Sequence, residues 1–203
     1  MRPILTAFTA ISLLAGFSGS ALAADKYTFD KPHTQIMFSI DHMGFSRSSG
    51  KFLDYSGTIM FDREAPEKSS VEITIPVSSL EMGDKTWNEH LLAEKMFNVA
   101  KYPDMKFKST AIKVTGEKTA DITGDLTLHG VTKPVTLATT FRKAERVEKF
   151  NIDKAGFAAT TTIKRSDFGM SEGIPMVSDE VQITLEVEAN KDGGAAASAP
   201  AAK

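Results

Sequence analysis

The stretch Gly124–Phe141, GDLTLHGVTKPVTLATTF, constrains this chain most. Leu126 and Leu128 point one way, and Asp125, Thr127 and His129 the other. After a short link, Val135, Leu137, Thr139 and Phe141 share a face opposite Thr136, Ala138 and Thr140. Both arms alternate with period two, the repeat of a strand with one face on an interior. The link carries Gly130 and Pro134, and proline cannot donate to a central ladder, so the chain is expected to reverse there. The reading is a β-hairpin, and the question of function becomes what its apolar face looks at.

Strand patterns recur on either side. Tyr27–Asp30 reads as an edge strand or lead-in. Gln35–Asp41 alternates Ile36, Phe38 and Ile40 against Met37, Ser39 and Asp41, with a bend at Gly44 and a polar loop over Ser46–Gly50. Phe52–Asp62 has apolar residues on both faces. Val71, Ile73, Ile75 and Val77 share a face, as do Val181, Ile183, Leu185 and Val187 near the end. Met105–Ser109, Ala111–Thr115 and Phe157–Lys164 are further strands, Arg142–Lys149 is a charged loop or strand end, and Arg165–Gly173 is a loop. Thr86–Val99 alone changes period. Trp87 and Leu91 stand four apart, with Leu92, Met96 and Val99 at helical spacing. Thr86 with Glu89 reads as a capping box, and the stripe is expected to pack on the sheet. Eight or nine strands with hairpin-length connections and one inserted helix favour an all-β, extended antiparallel barrel of about eight strands, because closure removes exposed edges. A sandwich is the competing arrangement.

Residues 1–23 differ from the rest. Arg2 precedes the apolar run Ile4–Phe17, and the segment ends in Ala21-Leu22-Ala23, a small-x-small cleavage pattern. The run is shorter than the roughly 20 residues of a membrane span, so a removed signal peptide and export to the periplasm are expected. Removal leaves 180 residues with a net charge of −3. Residues 24–190 are then one domain, and 191–203 a disordered Ala/Gly-rich tail. Without cysteine, the exported domain depends on its core rather than on disulfides. The mild negative charge gives no electrostatic case for nucleic acid.

An eight-stranded barrel is either filled by its own side chains or holds one small ligand. Thirteen Phe against one Trp and three Tyr, many of them in strand patterns, fit a packed core or an apolar cavity for a long hydrocarbon. The histidines, His33, His42, His90 and His129, lack the local spacing of a metal site. No nucleophile elbow, cysteine nucleophile or phosphate-cradling loop is present, and no cofactor is expected. Arg165 and Asp167 form either a structural ion pair at a barrel mouth or a polar handle for a head group.

Seven segments in one order carry a further signal. They are His33–Gly44 (HTQIMFSIDHMG), Gly50-Lys51-Phe52, Asn88-Glu89-His90-Leu91, Lys101-Tyr102-Pro103 with Met105–Ser109, Gly124–Val135, Gly156-Phe157, and Arg165-Ser166-Asp167-Phe168-Gly169. Together they resemble the YceI family of bacterial exported proteins over about Tyr27–Glu188. The family often has Arg-Asp before the helix His-Leu, where this chain has Asn88-Glu89. The resemblance implies a lipocalin-like barrel with an elongated apolar tunnel. It also implies a bound polyisoprenoid (an isoprenoid quinone or prenyl phosphate), a homodimer, and transient contact with a membrane or membrane redox proteins. The expected wall is Ile36, Phe38, Ile40, Phe52, Ile73, Ile75, Leu126, Leu128, Val135, Leu137, Phe157 and Ile183, with His42, Arg165 and Asp167 at the mouth. The rival readings are a lipid-modifying enzyme using His42 or His90, and a metal- or haem-binding module built from the histidines.

Overall fold

The computed structural model describes residues 24–193, so the expected signal peptide and most of the expected tail lie outside the described residues. Eleven strands are hydrogen-bonded into one antiparallel sheet: β1 (Asp25–Phe29), β2 (Gln35–His42), β3 (Ser46–Phe52), β4 (Ser56–Phe61), β5 (Ser70–Pro76), β6 (Leu80–Glu81), β7 (Asp104–Gly116), β8 (Thr119–Leu128), β9 (Val131–Val147), β10 (Ile152–Lys164) and β11 (Val177–Lys191). One α-helix, α1 (Lys85–Leu92), lies among the described residues between β6 and β7. It is too short to cross a membrane.

Eight of the strands close a ring in the order β1-β4-β5-β7-β8-β9-β10-β11, and β1 returns to β11. The barrel, rather than the sandwich, is therefore the fold. β1 is no edge strand: Tyr27 pairs with Ile59 of β4 on one side and Lys191 of β11 on the other. β11 is the longest-shared strand. One side follows β10 from Glu180 to Asn190, while the other serves β1 and then β2, from which β3 and β6 extend. Lys191 thus lies in a strand, one residue beyond the expected domain end, and Asp192 Oδ2 pairs with Lys26 Nζ at 2.9 Å.

The hairpin of β8 and β9 reverses at His129-Gly130, with Leu128 opposite Val131. Both turn residues have positive φ, 51° and 76°, the backbone of a two-residue hairpin loop matched to strand twist. A Cβ at Gly130 would run into the Tyr102 ring, so glycine is required on two grounds. Pro134 lies inside β9 and not in the turn. It is tolerated because β10 pairs with β9 only from Ala138 onward, so no partner strand claims the missing N–H.

Other local expectations shift for identifiable reasons. Ser46–Gly50 is strand rather than loop: its serines carry little β preference, but the segment is paired along β2 from His42 to Phe38. The span Phe52–Asp62 breaks at residues 53–55 into β3 and β4. The helix ends at Leu92, after which turns run to Tyr102. Its N-cap is Asp84, whose carboxylate accepts from Trp87 N–H at 2.9 Å, so Thr86 and Glu89 form no capping box. Arg142–Val147 is strand, with Arg142 forked onto Glu186 of β11 at 2.8 Å.

Inside the ring, two apolar clusters form. One gathers Ile36, Phe52, Tyr55, Leu80, Met105, Leu128 and Phe168 among others. The second centres on Tyr27, Ile59 and Phe61, with Phe141 and Phe157 packed against it. The Phe61, Phe141 and Phe157 rings meet with centroids 5.2–5.7 Å apart.

Near the β1 end, Lys154 Nζ donates to Asp30 at 2.6 Å and to Glu188 at 3.0 Å. Burial acts to raise the Asp30 pKa, but the hydrogen bonds and charge of Lys154 and His33 outweigh it and hold it below its ordinary 3.8. Burial likewise acts to lower the Lys154 pKa, and the two carboxylates overcome it, raising it above 10.5. The depressed Asp30 contributes stability that is complete above its unfolded pKa and is lost as pH falls through its folded one; the raised Lys154 contributes stability complete below its unfolded pKa and lost as pH rises through its folded one. Lys154→Met strands the half-buried carboxylate, and is expected to cost about 2 kcal/mol at neutral pH. In urea titrations across pH, that deficit should shrink as pH falls through the lowered pKa of Asp30, below which the carboxyl is neutral in both proteins. A deficit constant down to pH 2 would overturn this account.

Candidate functional site

The barrel axis is hollow. Two cavities, about 420 and 440 Å³, adjoin along it, each within the size range of small-molecule sites. Ile36, Ile75, Phe107, Leu137 and Leu185 line both and form a waist between the two lobes. Alternation explains how the wall arises: every second side chain of β2, β5, β7, β8, β9 and β11 turns inward. Small side chains explain why it stays open. Ala120, Thr139 and Ala159 line the second lobe where larger residues would reach across. Charged lining residues sit toward the ends. Lys95 and Glu172 lie in loops at the first lobe; Arg63, Glu117 and Lys118 lie in the β4–β5 and β7–β8 connections at the second.

The expected wall residues fall on this bore. Phe38, Ile40, Phe52, Leu126, Leu128, Val135 and Ile183 line the first lobe, as do His42 and Arg165. Ile73 and Phe157 line the second, and Ile36, Ile75 and Leu137 the waist. Asp167 does not belong with them. Its half-exposed carboxylate pairs with Lys133 Nζ at 3.0 Å on the outside. Arg165–Phe168 is a 3-10 turn with about three residues per turn, so side chains two apart diverge.

Arg165 is neither in an ion pair with Asp167 nor free to grip a head group. Its buried guanidinium donates to four backbone carbonyls: Ser178 at 2.9 Å, Met170 at 2.9 Å, Glu172 at 2.7 Å and Val177 at 3.0 Å. Burial draws its pKa down from the ordinary value, against the opposing pull of Asp179 and Glu172. Ser166 N–H and Oγ both donate to Asp179, at 2.8 and 2.7 Å, and hold that carboxyl below its usual range. The Met170–Met176 loop and the start of β11 are thereby pinned at the mouth of the first lobe.

Sequence reasoning missed the part of the wall supplied by α1 and the turns after it. Trp87, His90, Leu91, Met96 and Phe97 line the first lobe, so the helical stripe faces the cavity as well as the sheet. Phe107, Ile112 and Phe141 were legible as inward positions of alternating strands.

The histidines are dispersed. His129 Nδ1 lies 3.1 Å from the Phe168 carbonyl, with its ring 4.4 Å from Tyr102. His90 meets Trp87 edge-on. His33 with Asp30 and Glu188 is the one metal-like trio among the described residues. There, however, the Lys154 ammonium already supplies a cation to both carboxylates.

A closed antiparallel barrel with an apolar bore through it defines the lipocalin-like class of pocket-bearing proteins. Within that class the comparisons are specific. The YceI-like domain pattern matches residues 27–189, and the chain belongs to the YceI family. It is 44% identical over 155 residues to a UPF0312 protein of Pseudomonas savastanoi pv. phaseolicola, covering 75% of this chain and 80% of the relative. The crystal structure of the Campylobacter jejuni YCEI protein superposes with a TM-score of 0.69 at 34% identity, over 81% of this chain and 97% of that one. A domain from Saccharophagus degradans, described as polyisoprenoid-binding and implicated in plant cell wall breakdown, shares the fold with a TM-score of 0.63 at 15% identity, over 81% and 98% of the two chains.

Proposed function

We propose that this protein is a periplasmic carrier that sequesters a polyisoprenoid, an isoprenoid quinone or prenyl phosphate, in its bore. The observation that carries the reading is the two-lobed apolar cavity along the barrel axis. An isoprenoid tail in water costs about 25 cal/mol per Å² of apolar surface. A preformed cavity removes that surface with little ordering of the protein. The fold shared with a domain described as polyisoprenoid-binding supports the same class of cargo. Export through residues 1–23, a homodimer, and passing contact with a membrane or membrane redox proteins belong to this reading. Periplasmic fractionation and sedimentation velocity test the first two.

An enzyme using His42 or His90 gains little support. Both line the first lobe, but among the described residues neither ring is hydrogen-bonded to a carboxylate that would orient it as a base. The histidine-based metal or haem reading meets the Lys154 ammonium at its best cluster.

The deciding experiment is organic extraction of protein purified from its native host, followed by mass spectrometry. Recovery of a prenyl lipid near one per chain is expected. Repeated recovery of none, with no uptake of added decaprenyl phosphate or ubiquinone-10 from detergent, would sink the carrier reading.

A further inference from the structure

Among the described residues, the most exposed large apolar side chain stands beside the bore. Phe45 is 85% exposed at the tip of the β2–β3 turn, with Met43 51% exposed two residues before it. Met176, 62% exposed, lies on the neighbouring Met170–Met176 loop, and Met43 N–H donates to the Met176 carbonyl at 2.9 Å. The three therefore form one lip. It adjoins the first lobe, because His42, Gly173 and Val177, within three residues of lip members, line that lobe. The lip is built rather than loose. Gly44 N–H donates to Asp41 Oδ1 at 2.8 Å, Phe45 N–H to the His42 carbonyl at 3.1 Å, and Arg165 pins the second loop.

We propose that this lip is a membrane-docking surface: Met43, Phe45 and Met176 insert into the headgroup boundary of a lipid bilayer and bring the mouth of the first lobe against it. A rigid aromatic flanked by two flexible thioethers suits that boundary. A second copy of the chain fits less well. Three side chains of this size offer about 500 Å² at most, against roughly 800 Å² per partner in a stable interface. The nearby charges, Asp41, Arg47 and Glu172, are mixed in sign. Docking therefore rests on apolar contact and needs no anionic lipid.

The surface serves the carrier reading above, and the test separates the two. Protein purified after expression of the full-length chain is mixed with phosphatidylcholine vesicles free of isoprenoid and sedimented, beside the F45S/M176S variant. Both positions are exposed, so the variant should keep the fold, checked by its melting temperature. Partitioning is expected to fall about tenfold or more in the variant, and to hold at 0.5 M salt. Uptake of decaprenyl phosphate from detergent should be unchanged. Absence of vesicle binding by the parent protein overturns the docking surface whatever the uptake assay shows. So does equal binding by the variant, or dissociation of a parent dimer by the substitutions, which would assign the lip to a second copy.

Discussion

Replacing Leu137 by Trp is expected to weaken binding of a long polyprenyl ligand by about 100-fold or more while leaving the barrel folded. Leu137 stands at the waist and touches both lobes. An indole there fills the junction between the lobes and leaves two short chambers. A decaprenyl chain loses the burial of whatever half no longer fits, and at about 25 cal/mol per Å² some 100–150 Å² of re-exposed chain accounts for the effect. A farnesyl ligand, short enough for one lobe, should lose tenfold or less. Overpacking costs about 1–3 kcal/mol of stability, which thermal unfolding would register as a modest fall. Fluorescence titration with both ligands reads the contrast. Equal affinity for the long ligand before and after the substitution would move the binding site out of the bore.

Arg165→Met should cost more stability than either Leu137→Trp or Lys154→Met. Methionine keeps much of the volume but removes every donor to the carbonyls of Met170, Glu172, Val177 and Ser178. Buried acceptors left without partners cost about 1–3 kcal/mol each when water cannot reach them. With some of the four re-solvated, a total of about 3–5 kcal/mol is expected, or roughly 10 °C in Tm for a domain of this size. Arg165→Lys should recover little, since an ammonium cannot span the fork of four acceptors. Urea unfolding measures the difference. A deficit under 1 kcal/mol for Arg165→Met would show that the loop carries its own carbonyls without help.

The architecture was legible wherever one face of a strand is wet. Ile36, Phe38 and Ile40 alternate with Met37 and Ser39, and Val135, Leu137 and Phe141 with Thr136, Ala138 and Thr140; spacing showed which residues share a face, and the barrel turns those faces to the bore. The signal fails where pairing rather than side-chain preference makes the strand. Ser46–Gly50 has no hydrophobic pattern, and only its register with β2 makes it a strand. Pro134 misled because its tolerance depends on where the β9–β10 ladder ends, a long-range fact. The helix reached only Leu92, since nothing local distinguishes its stripe from the turns that carry Met96 and Phe97 to the same cavity. Arg165 and Asp167 share a motif but not a direction. Spacing of two would put them on one face of a strand, but Arg165–Phe168 is a 3-10 turn, where side chains two apart point about 120° away from each other.

The shared strand β11 has a consequence in time as well as in space. β1 leans on β4 along one side, but its other side waits for residues 189–191, and Thr28 meets Asp192 across 164 positions of sequence. Translation delivers β1 long before β11. The cylinder therefore cannot be sealed until residues 189–191 have left the ribosome, and a nascent chain of this topology stays unsealed until then.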